Sequence, residues 1–92
     1  ADAGAFSMVL EMVPSSVASR IRDVVSIPTI GIGAGPHCDG QILVFHDVVG
    51  LSAATPKFVK QYGTLRSAAI EALKHYKSDV ESGQYPGPEH SY

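Results

Sequence analysis

Glu11 places a carboxylate in an otherwise apolar run, Ser7-Met8-Val9-Leu10-Glu11-Met12-Val13, where five of seven residues are hydrophobic and Pro14 follows. A charge taken out of water costs free energy unless a partner or a reaction requires it there. A desolvated carboxylate at a strand end, with no basic residue close in sequence, is a strong proton acceptor suited to general-base chemistry. The competing reading is a solvated or salt-bridged strand end with no chemical duty.

Other groupings also carry chemistry-bearing residue types. Gly31-Ile32-Gly33-Ala34-Gly35-Pro36-His37-Cys38-Asp39-Gly40-Gln41 invites comparison with phosphate loops. It fails the dinucleotide fingerprint, because Pro36 stands where the last glycine belongs. It fails the P-loop, because Gln41 and Ile42 replace the lysine and the hydroxyl residue. The glycines fit either a structural tight turn or a backbone cradle for a ligand. His37-Cys38-Asp39 holds metal-ligating types, but zinc sites need paired ligands at set spacings and Cys38 is the only cysteine. His46-Asp47 follows a strand-like run, at the end where sites collect in parallel sheets. Neighbouring strand residues point to opposite faces, however, so the two side chains would not act together. His75 sits among Lys74 and Lys77 and reads as solvated, and His90 belongs to the tail.

The elements that must position these groups follow from periodicity. Phe6 to Met12 and Ile27 to Ile32 read as buried strands, with Pro28 tolerated near the start of the second. Between them, Pro14-Ser15-Ser16 offers helix-start chemistry with a hydroxyl cap. Val17, Ile21, Val24 and Val25 then recur at helical spacing. Gln41 to Phe45 reads as a third strand. Strand, helix, strand predicts a parallel sheet. Yet only eight residues separate Ile32 from Gln41, fewer than the ~10–12 of an ordinary parallel crossover, so a hairpin stays open at this point. Pro56 can open a helix carrying Phe58, Val59 and Tyr62. Leu65, Ala69, Ala72, Leu73, Tyr76 and Val80 stripe a longer helix that Gly83 should cap, and the turn-rich tail from Tyr85 to Tyr92 should not be helical.

Composition narrows the class. The 92 residues are 45% hydrophobic and 17% charged, with net charge −2, an ordinary make-up for one small domain at most. The scattered basic residues argue against a nucleic-acid partner or a membrane surface. The apolar runs are too short to span a bilayer, and the first residues lack signal-peptide character. A lone cysteine excludes an internal disulfide and suits a reducing compartment. Apolar strands covered on both faces would need more chain than this to close a core. With no initiator Met and a strand beginning at Phe6, the chain reads as a piece of a longer polypeptide.

Taken together, Gly4-Ala5-Phe6-Ser7-Met8-Val9-Leu10-Glu11-Met12-Val13-Pro14, the segment Ile27 to Leu51 and the tail Gly87-Pro88-Glu89-His90-Ser91-Tyr92 resemble the C-terminal part of the ketopantoate hydroxymethyltransferase family. The likeness runs from Gly4 to about Leu51, through Pro56-Lys57-Phe58-Val59-Lys60, and again over Val80 to Tyr92, nearly the whole chain. It implies an α/β fold: strands six to eight of a (β/α)8 TIM barrel of the phosphoenolpyruvate/pyruvate type. Residues 1–92 would be the last third of one domain, with a truncated seventh connection in place of a hairpin. It implies transfer of a hydroxymethyl group from 5,10-methylenetetrahydrofolate to 3-methyl-2-oxobutanoate through an enolate held by Mg2+, with the metal ligands outside this chain. Glu11 matches the family's general base, and Ile32, Ile42 and Val44 match apolar positions lining the pocket around the branched substrate. The implied partners are the N-terminal remainder of the barrel and further copies in a homo-oligomer such as a decamer, with residues 65–92 at the interface. The implied location is cytoplasmic. The alternatives are a related enolate-forming lyase of the same superfamily and a non-catalytic assembly fragment.

Overall fold

The computed structural model describes residues 1–92, which fall into two compact units, residues 1–45 with 56–59 and residues 46–55 with 60–92. In the first unit, β1 (Met8–Glu11), β2 (Thr29–Ile32) and β3 (Gly40–Gln41) form a three-stranded sheet in the order β1-β2-β3. Both pairings are parallel. The βαβ expectation therefore holds for β1, α1 (Ser15–Val24) and β2. The hairpin alternative falls, since the seven residues between β2 and β3 make a parallel connection without a helix. A strand of two to four residues is short enough for a loop to retrace.

The sheet packs on α1 through a small core of Leu10, Ala18 and Ala34, edged by Met8, Val13, Ile21 and Cys38. Along β1, burial alternates: Met8 and Leu10 lie toward the helix, while Val9 and Glu11 are exposed. The apolar strands predict cover on both faces, and within this chain only one face has it. This unit places its helix over one face only, and Val9 is 59% exposed on the other. The helix meets the sheet through Ala18 rather than through Val17 or Val24, because a small side chain allows the closest approach.

The helix start also differs from expectation. Pro14 takes the cap position, its carbonyl accepts from the N–H groups of Val17 and Ala18, and no side-chain oxygen caps the end. Ser15 and Ser16 are already helical. The third strand is shorter than Gln41 to Phe45: it ends at Gln41, and Phe45 begins a short helix, α2 (Phe45–Val48). Apolar character over Ile42 to Phe45 marked a wish for burial, which helix and strand share.

In the second unit, α3 (Leu65–Ser82) runs as the stripe predicts and ends at Gly83 in the left-handed conformation. Its first turn is tied down by Leu65 and Arg66, whose N–H groups donate to the carbonyls of Val49 (3.0 Å) and Gly50 (2.9 Å). No residue of α3 is buried, and Leu65, Ile70, Leu73, Tyr76 and Val80 are all exposed. The tail folds back through Tyr85, whose ring centroid lies 5.7 Å from that of Tyr76. It contains a 3₁₀ turn at Pro88–His90 where no helical structure was expected. The helix expected from Pro56 is absent. Residues 56–59, part of the first unit, make one turn closed by the Val59 N–H donating to the Pro56 carbonyl (3.1 Å). No helix is long and apolar enough to cross a membrane.

Candidate active site at the strand ends

Glu11 is the last residue of β1 and pairs directly with Ile32, the last of β2. In a parallel ladder, paired residues project to the same side. The carboxylate and the Ile32 side chain therefore share the face that α1 leaves uncovered. The Ile42 N–H donates to the Gly31 carbonyl (2.9 Å), which carries the β2–β3 ladder one residue past β3 and brings Ile42 beside Ile32. Val44 lies two residues further on, outside any strand, so no ladder aligns it with Ile42. Ile42 and Val44 are 49% and 52% exposed. Glu11 is exposed and no Lys, Arg or His pairs with it.

Immediately after Glu11 the backbone bends sharply. The Met12 N–H donates to the Ile32 carbonyl (2.9 Å), completing the ladder, and Met12 then takes a φ of 53°. A non-glycine residue in this region costs about 1–2 kcal/mol. Such conformations cluster at functional sites. Here the bend turns the chain from the end of β1 toward Pro14 and α1.

The glycine-rich loop is a structural turn with shallow clefts. Gly33 has φ +70° and lies under the Phe58 ring, where a Cβ would come 2.7 Å from Cδ2. Gly35 has φ +79° and lies against Ser15. The Gln41 Nε2 donates to the Gly35 carbonyl (2.8 Å), so that part of the loop is closed on itself. A cleft of about 530 Å³ is lined by Gly33, Gly35, Pro36, Gln41 and Phe58. A second, of about 390 Å³, is lined by Met12, Val13, Pro14, Gly33, Pro56, Lys57 and Phe58. Lys57 and Phe58 both line this second cleft. Phe58 was expected on a helix face, whereas the turn at Pro56 and the missing side chain at Gly33 seat it over the loop.

No three His, Cys, Asp or Glu side chains come together in this chain as a metal group, at His37-Cys38-Asp39 or elsewhere. Asp39 instead clips the loop to the opposite, N-terminal end of β2. Its Oδ2 accepts from the Thr29 N–H (2.9 Å) and Thr29 Oγ1 (3.2 Å), and its Oδ1 from Arg22 Nε (2.9 Å). The Thr29 N–H foremost, with the Thr29 hydroxyl and the Arg22 guanidinium, holds the Asp39 carboxyl below its ordinary value against partial desolvation. Asp47, next to His46, accepts from Ser52 Oγ (2.6 Å) and fixes its own loop.

A family model described as ketopantoate hydroxymethyltransferase matches residues 1–88. A Pyrobaculum aerophilum protein named 3-methyl-2-oxobutanoate hydroxymethyltransferase is 55% identical over 89 residues, covering 97% of this chain and 34% of that protein. A Syntrophobacter fumaroxidans protein of the same name is 55% identical over 93 residues, covering 100% of this chain and 33% of the relative. One from Moorella thermoacetica is 52% identical over 92 residues, covering 99% and 34%. The chain thus spans about a third of the length of these curated relatives.

Proposed function

Since the chain belongs to the ketopantoate hydroxymethyltransferase family, we propose that it is the C-terminal third of a (β/α)8 barrel. The barrel would transfer a hydroxymethyl group from 5,10-methylenetetrahydrofolate to 3-methyl-2-oxobutanoate. The observation that carries this reading is the unpaired Glu11 carboxylate at the C-terminal end of a parallel strand, level with Ile32. Active sites of (β/α)8 enzymes are built at that end of the strands.

In this reading Glu11 removes the C3 proton of the 2-oxo acid, and the carbanion, delocalised as an enolate, attacks the methylene carbon of the donor. Both C–N bonds of that carbon break in the transfer, water supplies the hydroxyl oxygen, and tetrahydrofolate leaves with its nitrogens reprotonated. Ile32, Ile42 and Val44 surround the branched tail. Closing the rest of the barrel over the open face would desolvate Glu11 and strengthen it as a base. This chain's own residues do not form a Mg2+ site. The metal implied by the resemblance would be held elsewhere in the longer polypeptide, where its charge would stabilise the enolate. The working assembly would be a cytoplasmic homo-oligomer, such as a decamer, with the uncovered stripe of α3 against a neighbouring copy.

The test is exchange of the C3 proton of 3-methyl-2-oxobutanoate into deuterated water without folate, in the full-length polypeptide. Glu11→Gln keeps the size of the side chain and removes the proton acceptor. Exchange should fall by about 10²–10⁴, the usual contribution of a positioned general base. Exchange at the unsubstituted rate in a folded Gln variant refutes the assignment. An unchanged KM for the 2-oxo acid in Ile32→Ala would remove Ile32 from the pocket.

A further inference from the structure

The cleft beside Glu11 has a distinct chemical character. Of its lining residues, Met12, Val13, Pro14, Gly33, Pro56 and Phe58 are uncharged, and Lys57 alone carries a charge. No acid lines the cleft and no carboxylate pairs with Lys57. The wall is built rather than incidental. Phe58 seats where Gly33 has no Cβ, with Cγ only 2.8 Å from where one would stand. The turn from Pro56 to Val59 then presents Lys57 at the cleft. At about 390 Å³ the cleft falls within the roughly 300–1,000 Å³ of sites that take drug-sized ligands.

An apolar slot with an aromatic wall and one unneutralised cation complements a flat aromatic molecule bearing a carboxylate. A small branched 2-oxo acid offers no ring for Phe58. We propose that Lys57 and Phe58 form a binding subsite for the anionic aromatic portion of the one-carbon co-substrate, the p-aminobenzoyl-glutamate moiety. Phe58 and Met12 contact the ring, and Lys57 pairs with a carboxylate. The assignment deepens the proposed function and rests on it for the identity of the co-substrate. It also gives the bend at Met12 a second role: the residue that ends the strand of Glu11 lines the slot through which the donor approaches.

The experiment titrates p-aminobenzoylglutamate into the full-length protein and measures affinity directly, beside the KM for 5,10-methylenetetrahydrofolate. Lys57→Gln removes the charge while keeping a long polar side chain and should weaken binding about tenfold, the loss of one charge-assisted contact. Lys57→Arg should restore most of it. Raising the salt concentration should weaken binding to the unsubstituted protein and leave the Gln variant nearly indifferent. Phe58→Leu should weaken binding through the ring contact without altering the salt response. Equal affinity for p-aminobenzoylglutamate in folded Lys57→Gln and unsubstituted protein overturns the inference. The titration needs no turnover. Binding that depends on Lys57 in a protein that makes no ketopantoate would sustain this site and sink the proposed reaction, and transfer with binding indifferent to Lys57 would do the reverse.

Discussion

Asp39 is bound to Thr29 in both directions. The Thr29 N–H and hydroxyl lie 2.9 and 3.2 Å from Asp39 Oδ2, and the Asp39 N–H donates to Thr29 Oγ1 at 3.2 Å. Thr29 is fully buried at the start of β2, so this pair fixes where the loop after β2 returns to the sheet. Glu11 lies at the other end of the ladder. Asp39 therefore holds the connection, while Glu11 at the opposite end has no cationic partner in this chain.

The Asp39 clip predicts a pH dependence of stability. Its carboxyl is held below the ordinary aspartate value of about 3.9. Between the folded and unfolded values the unfolded chain binds more protons, so this contribution is complete above about pH 4 and is lost as pH falls through the folded value. Urea midpoints of the full-length polypeptide should decline over that acidic window. Asp39→Asn should lower the midpoint at pH 7 and flatten the acidic decline. An Asn variant with an unaltered pH profile would show that Asp39 contributes nothing to it.

Gly33 and Phe58 should be energetically coupled. In Gly33→Ala the new Cβ meets the Phe58 ring, and φ +70° adds strain of about 1–2 kcal/mol. The double variant Gly33→Ala/Phe58→Ala should lose less stability than the sum of the two single changes. The clash disappears with the ring while the backbone strain remains. Strictly additive losses would separate the two residues.

The chain expressed alone should not melt cooperatively. Its buried apolar core consists of Leu10, Ala18 and Ala34, while Val9, Ile42 and Val44 remain open to solvent. So little burial cannot offset the conformational entropy of ordering the chain. A sharp two-state thermal transition by circular dichroism from a soluble monomer would be the contrary result.

Removing residues from Leu65 onward should alter assembly more than pocket chemistry. The α3 stripe of Leu65, Leu73, Tyr76 and Val80 has no cover in this chain. The truncated full-length polypeptide should sediment as a smaller species than loss of mass alone explains, with proton exchange at Glu11 retained. A sedimentation coefficient changed only by that mass would count against an interface role.

Much of the architecture was legible in local chemistry. The run ending at Pro14 predicted β1, the helical spacing beyond it predicted α1, and the stripe closed by Gly83 predicted α3, because each pattern repeats within a few residues. Glu11 stood out for the same reason, as one acid among apolar neighbours. Other features needed contacts between residues distant in sequence. Apolar Ile42 to Phe45 could not say whether it would extend a strand or start a helix, since both bury the same side chains. Pro56 allowed a helix, but the seat over Gly33 held Phe58 in a turn instead. The sequence by itself determined β1, α1, β2 and α3, the family resemblance and the acid worth testing. Tertiary structure decided that Glu11 stands beside Ile32, that Asp39 serves Thr29 and Arg22 rather than a metal, and that Lys57 reaches a cleft with Met12. Register and loop closure join residues about 10 to 45 positions apart, and no local periodicity encodes which of them will meet.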